Sequence, residues 1–252
     1  MTPALPRAFL ERPLAHRGLH DRAKGVIENS RAAAEAAIVG GYGIELDLQL
    51  SADGEAMVFH DDELFRLTGA KGPVGARTAG ELGALTLTGG GEHPPTLPEF
   101  LSLVAGRAPL LVEIKDQSGD MGETNGHLEA RAAELLLAYE GPVAVMSFNP
   151  HSVARMRDLA PALPRGRTTC GWPAKEWPGL AAERRAALAR LDDLETLGCS
   201  FISHQRTDLG SDEVARVKAK GLPVLCWTTR SAEQEREARR VADNVTFEGY
   251  RA

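Results

Sequence analysis

The stretch Ile44-Glu-Leu-Asp-Leu-Gln-Leu-Ser-Ala-Asp-Gly-Glu-Ala-Met-Val-Phe-His-Asp61 decides the fold. Ile44, Leu46, Leu48 and Leu50 alternate with Glu45, Asp47 and Gln49, the period of two that sends apolar and polar side chains to opposite faces of a strand. Asp53-Gly54 reads as a two-residue hairpin turn, since Asp-Gly supplies the positive φ such a turn needs. A return strand from Ala56 to Phe59 then delivers His60 and Asp61 near the level of Glu45 and Asp47. Two carboxylates on one strand face, with an imidazole alongside, point to a divalent cation and acid–base chemistry. Taken alone, the Glu-x-Asp pair also fits a half-buried strand whose polar face is wet.

Outward from this hairpin the chain alternates. Upstream, Pro13 to Gly18 forms a short strand with a polar tip at His16-Arg17, and Asn29 or Ser30 caps an alanine-rich helix ending at Gly40. Downstream, residues 62–95 form a short, irregular, glycine-rich insertion with one helical stretch from Thr78 to Leu85. Strands are then expected at 109–115, 142–148, 164–170, 200–204, 222–229 and 244–247, separated by helices that include 127–140, 150–159 and 180–197. Strands spaced by helices make right-handed βαβ units and a parallel sheet. His16-Arg17, Glu45-Asp47, Glu113-Lys115, Ser147 and Trp227 fall at the C-terminal ends of different strands. A barrel gathers such residues at one mouth, whereas an open sheet collects its site at a switch point, with a glycine loop that this chain lacks. The expectation is an α/β protein: a (β/α)8 TIM barrel forming one domain over residues 1–252, with its active site at the C-terminal face of the strands. Too few residues follow 248 for an eighth helix, so segment 1–12 is expected to cover that side.

The 252 residues suffice for one such barrel, and their net charge of −6 argues against a nucleic-acid partner. Three widely spaced cysteines, Cys170, Cys199 and Cys226, read as core thiols. Neither a signal-like apolar run near the start nor a membrane-spanning stretch is visible, so a soluble, cytoplasmic protein is expected, without stable membrane insertion. Nothing here speaks to oligomeric state.

Leu14-Ala15-His16-Arg17-Gly18, Glu28-Asn29-Ser30, Glu45-Leu46-Asp47, Asp53-Gly54, Val58-Phe59-His60-Asp61 and Glu113-Ile114-Lys115 together resemble the glycerophosphodiester phosphodiesterase family in order and spacing. The match extends more loosely to Ser147-Phe148 and Val224–Thr228. This resemblance implies a TIM barrel holding one divalent cation, Mg2+ or Ca2+, on Glu45, Asp47 and Glu113, with Glu28 as a further candidate near it. It implies that His16 and His60 act as general acid and base on a small glycerophosphodiester, releasing glycerol 3-phosphate and an alcohol. Carboxylate oxygens suit hard cations, and imidazole titrates where it can both give and take a proton. Arg17 and Lys115 are expected to bind the phosphate, and Trp227 to wall the pocket. His204, at a strand end, receives no catalytic role.

Thr246-Phe247-Glu248-Gly249 departs from the Thr-Asp-x-Pro-like end of this family, and Thr229-Arg230 stands where an Asn is more usual. Both departures are expected to touch substrate recognition rather than metal chemistry. Two alternatives remain: a related barrel phosphodiesterase for lysophospholipid or phosphoinositide head groups, which would want an apolar rim, and a non-catalytic phosphodiester-binding barrel. Retention of both histidines and all three carboxylates argues against the second.

Overall fold

Alternation along the strands works because both faces of the sheet are covered, one by helices and one by the sheet's own closure. In the computed structural model, which describes residues 2–252, the strands are β1 (Leu14–Ala15), β2 (Gly43–Leu50), β3 (Ala56–Val58), β4 (Leu110–Ile114), β5 (Val143–Ser147), β6 (Arg165–Thr169), β7 (Phe201–Gln205), β8 (Val224–Thr229) and β9 (Asn244–Phe247). All but β3 run parallel, each beside the next, and β1 closes the ring by pairing with both β2 and β9. The result is an eight-stranded parallel (β/α)8 barrel, as the strand–helix alternation predicts.

β2 carries two registers. Ile44 to Leu48 pair with Leu110 to Ile114 of β4, while Leu48 to Leu50 pair antiparallel with Val58 to Ala56 of β3. Because β4 occupies one edge, β3 must run along the other, above the point where the two-residue β1 ends. The Phe59 amide donates to the Asp47 carbonyl at 3.0 Å, so the hairpin returns at the level of the polar face.

The hairpin loop is longer than Asp-Gly alone suggests. The Ser51 amide donates to the Glu55 carbonyl, the Gly54 amide to the Ser51 carbonyl, and of the Asp-Gly pair only Gly54, at φ 87°, is left-handed. This is a three-residue loop, a turn followed by a bulge residue, held by Ser51 Oγ donating to Asp53 Oδ1.

Ile44, Leu46, Leu48, Leu110, Val112 and Ile114 face outward into a core shared with the surrounding helices. Leu14, Leu111, Ala144, Met146, Phe201 and Leu225 fill the barrel interior together with Leu5 and Phe9. The N-terminal segment therefore plugs the N-terminal end of the barrel rather than standing in for an eighth helix. Asn244 Nδ2 fixes it there by donating to the carbonyls of Phe9 and Arg12. Tyr42 and Tyr250 pack edge-on against Phe247 on the outer side.

Residues 62–95 are less irregular than their composition suggests. Short helical turns at Phe65–Thr68, Val74–Ala76 and Ala79–Gly83 enclose a small core of Leu64, Leu67, Val74, Leu82 and Leu87 over Met57 and Phe59. Of the expected 180–197 helix, only Ala182–Ala189 forms. Leu191 turns left-handed, and Asp193 swings in to accept from the buried Arg167 guanidinium at 2.6 Å, an ion that needs a partner more than the helix needs another turn. The three cysteines are free and buried.

Candidate active site

β1 stops early so that His16 and Arg17 can turn into the barrel mouth. Arg17 is left-handed at φ 57°, a conformation costing a non-glycine residue about 1–3 kcal/mol. Its amide donating to Glu45 Oε2 at 3.0 Å and its carbonyl accepting from the Asn29 amide at 2.8 Å offset that strain. Gly18, at φ 79°, lies so close to the following helix that a Cβ would sit 2.8 Å from Ala33. Only glycine fits there.

The inward residues of β2 and β4 form the floor. Glu45, Asp47 and Glu113 are all buried, Asp47 sits opposite Glu113 in register, and one oxygen from each lies within 4.8 Å of the others. Lys115 Nζ bridges two of them, 2.8 Å from Asp47 Oδ1 and 2.6 Å from Glu113 Oε1. Asn29 Nδ2 donates to Asp47 Oδ2 at 2.9 Å. The alternative of a wet strand face does not hold, since all three carboxylates are buried. Gln49, the third polar residue of β2, braces the loops instead, donating to the His60 carbonyl and to Asp62.

Burial first, then the charges of Asp47 and Glu113, pushes the Glu45 carboxyl well above its ordinary range. Burial would raise Asp47 too, but the charges of Lys115, His60 and Arg17 bring it down. Lys115 is likewise held protonated against its burial by Asp47 and Glu113. Three buried carboxylates facing one lysine and one arginine leave a negative excess concentrated at Glu45. An all-oxygen donor set with unbalanced negative charge fits a hard divalent cation.

Both histidines face the same cavity, about 140 Å3, which is also lined by Glu45, Asp47, Glu113, Arg17, Lys115 and Trp227. His16 Nδ1 is 2.5 Å from Glu248 Oε2, and its Nε2 is 4.0 Å from Glu45 Oε2. Burial lowers the proton affinity of His16, outweighing the hydrogen bond to Glu248. His60 Nδ1 is 2.7 Å from Asp61 Oδ1. Trp227 donates Nε1–H to the Ser203 carbonyl and meets Phe148 edge-on at 5.5 Å, and Trp177 packs tilted against the same Phe148 ring at 5.2 Å.

The structure brings His16, Arg17, Glu45, Asp47, His60, Glu113, Lys115 and Trp227 to this one cavity, whereas Ser147 donates its hydroxyl to the Ile114 carbonyl and Glu28 stands apart from the three floor carboxylates. Arg17 Nη1 and Arg66 Nη2 donate to its Oε1, and Arg66 Nη1 to its Oε2. Arg17 lies between Glu28 and Asp47, its Nε 3.4 Å from Asp47 Oδ2. Sequence reasoning missed Arg66, which also grips both oxygens of Asp61. It cast Asn29 only as a helix cap, a role Ser30 fills. It assigned Glu248 to substrate recognition, whereas the carboxylate sits on His16. The position of Glu248 just beyond a strand's C-terminal end was the available signal. For Arg66 there was none.

The model of the glycerophosphoryl diester phosphodiesterase family matches residues 16–244. YhdW of Bacillus subtilis is 27% identical over 227 residues, 86% of each chain. A glycerophosphodiester phosphodiesterase of Caldanaerobacter subterraneus is 35% identical over 162 residues, covering 61% of this chain and 64% of that one. Among solved structures, a phosphodiesterase of Oleispira antarctica in complex with the product sn-glycerol-3-phosphate superposes with a TM-score of 0.76 at 25% identity, covering 97% of this chain and 96% of that one. Among the described residues, no helix is long and apolar enough to cross a membrane.

Proposed function

Because this chain belongs to the glycerophosphoryl diester phosphodiesterase family, we propose that it hydrolyses small glycerophosphodiesters to glycerol 3-phosphate and an alcohol, with His16 and His60 as its acid–base pair. The observation that carries this reading is the placement of two imidazoles on one cavity above three buried carboxylates. Glu45, Asp47 and Glu113 would hold Mg2+ or Ca2+, which when bound supplies charge neutralisation and Lewis-acid polarisation of the phosphoryl group. Lys115 and Arg17 add fixed positive charge at the floor, where the phosphate's negative charge must be accommodated. One histidine removes the proton of the nucleophile, either water or the neighbouring glycerol hydroxyl. The other protonates the leaving alcohol oxygen, a division of labour worth about 10²–10⁴-fold per group. Phe148 and Trp227 offer an apolar wall for the glycerol or alcohol carbons.

The test follows release of glycerol 3-phosphate from glycerophosphocholine and glycerophosphoethanolamine by the wild type, His16→Ala and His60→Ala, with EDTA and with added Mg2+ or Ca2+. Each alanine variant should lose at least 10²-fold in kcat while staying folded. Near-wild-type turnover by either would overturn the two-histidine assignment, and turnover indifferent to EDTA would overturn the cation site.

A further inference from the structure

β9 ends at Phe247 beside β1, and the His16 amide donates to the Phe247 carbonyl at 2.9 Å. Closure of the barrel therefore sets Glu248 next to His16 across 232 residues of sequence. The Glu248 carboxylate is anchored on its other side: its amide donates to the Thr229 carbonyl, and Arg230 Nε donates to its Oε1 at 2.6 Å. Oε2 is left to His16 Nδ1, 2.5 Å away, with His20 Nε2 at 3.9 Å. Glu248 is no part of the carboxylate trio.

An ionised carboxylate only accepts hydrogen bonds, so the short contact requires the proton on Nδ1. The ring's second nitrogen is then the one turned toward Glu45 and the cavity. We propose that Glu248 is the positioning residue for His16, holding its ring with the proton on Nδ1 so that Nε2 alone addresses the substrate. The proposal rests on the catalytic role of His16 given above. His60 shows the same construction, with Nδ1 on Asp61 and Asp61 gripped by Arg66. Each imidazole is thus oriented by a carboxylate that an arginine holds in place.

Glu248→Gln tests this without changing shape. Arg230 still needs an acceptor and takes the amide oxygen, which turns the amide NH2 onto His16 Nδ1. A donor there forces the ring proton to Nε2, the wrong nitrogen. In 15N-labelled protein, the two ring nitrogens of His16 should exchange their protonated and unprotonated chemical shifts. With glycerophosphocholine and Mg2+, kcat should fall about 10–100-fold, while KM and the Mg2+ concentration for half-activation stay within twofold. An unchanged His16 tautomer, or unchanged kcat, in a folded Glu248→Gln variant would overturn the positioning role, provided His16→Ala is inactive. A rise in the Mg2+ requirement that accounts for the lost turnover would also overturn it, placing Glu248 in cation binding. Activity retained by His16→Ala removes the underlying catalytic reading itself, whatever Glu248→Gln does.

Discussion

Replacing Arg66 with methionine should cost stability and turnover together, and the stability loss should depend on pH. Arg66 makes two bidentate ion pairs, to Asp61 with contacts of 2.6 and 2.8 Å, and to Glu28 at 2.7 Å on both oxygens. Its side chain is 43% exposed, while Asp61 and Glu28 are 21% and 13% exposed, so solvent screens the pairs only in part. At about 0.5–1 kcal/mol for each well-formed, partly screened pair, the loss is about 1–2 kcal/mol. For a chain of this size that lowers Tm by about 3–6 °C. Burial alone would raise the Glu28 carboxyl, yet hydrogen bonds from Arg66 and the charge of Arg17 hold it at about 2, against an ordinary 4.5. A carboxyl depressed by folding contributes stability that is fully present above its unfolded value and lost as pH falls toward its folded one. The gap between wild type and Arg66→Met should therefore be widest above pH 5 and narrow as pH falls from about 4.5 toward 2. Urea unfolding at several pH values from 7 to 3 measures it. A gap that stays constant across that range would show that the ion pairs do not carry the effect. Because Asp61 loses its clamp, kcat should also fall about tenfold.

EDTA should abolish turnover, with Mg2+ or Ca2+ restoring it. A cation at a hundred times its dissociation constant should stabilise the fold by about 2.7 kcal/mol, seen as a rise in Tm. Lys115→Met removes the ammonium bridging Asp47 and Glu113. Without cation its Tm should fall, because the buried carboxylates lose their counter-charge. Mg2+ should bind more tightly by isothermal titration, while kcat drops with the loss of positive charge at the phosphate. Phe9→Ala, in the plug at the opposite end of the barrel, should lose about 3–5 kcal/mol in urea unfolding and leave kcat unchanged.

What the sequence made legible were features whose cause is local. Strand β2 declares itself because side-chain period is a property of the strand, and the floor carboxylates follow from which residues alternate inward. Asp53-Gly54 marked a turn but not its length, since a left-handed glycine serves a two-residue turn and a bulged three-residue loop alike. The shortened 182–189 helix could not be read, because Asp193 leaves it for a guanidinium on β6, a partner set by tertiary packing. Arg66 stood in an insertion whose glycines and threonines concealed a small core of its own. Its clamp on Glu28 and Asp61 reaches back 38 residues to one and only five to the other. No sequence period connects such a trio.

Glu248 shows why a departure from a family pattern is hard to interpret without its neighbours. As part of a departure after the last strand it was expected to touch substrate recognition rather than metal chemistry. Its meaning depends on the seam where the barrel closes, and that seam is narrow: β1 supplies only Leu14 and Ala15 to pair with β2 on one side and β9 on the other. Around this short pairing, Asn244 ties β9 to the N-terminal plug, the Gly43 amide reaches the Pro13 carbonyl, and the His16 amide reaches Phe247. The His16–Glu248 contact crosses the same seam. The two ends of the chain meet there, and the imidazole is oriented only once they have met. A loosened seam should thus reach turnover as well as global stability, because the two paired residues are buried in the core and also set the position of the ring. Asn244→Ala is the direct case. Its side chain is buried, as is its hydrogen bond to the Phe9 carbonyl, while the one to the Arg12 carbonyl is partly buried, so it should lose about 1–3 kcal/mol in urea unfolding. Its kcat should fall while Mg2+ affinity holds, since Asn244 ties the plug to β9, whereas Glu45, Asp47 and Glu113 stand on β2 and β4, which are paired to each other in register. Unchanged kcat in that variant would show that the ring's position is set from β1 alone.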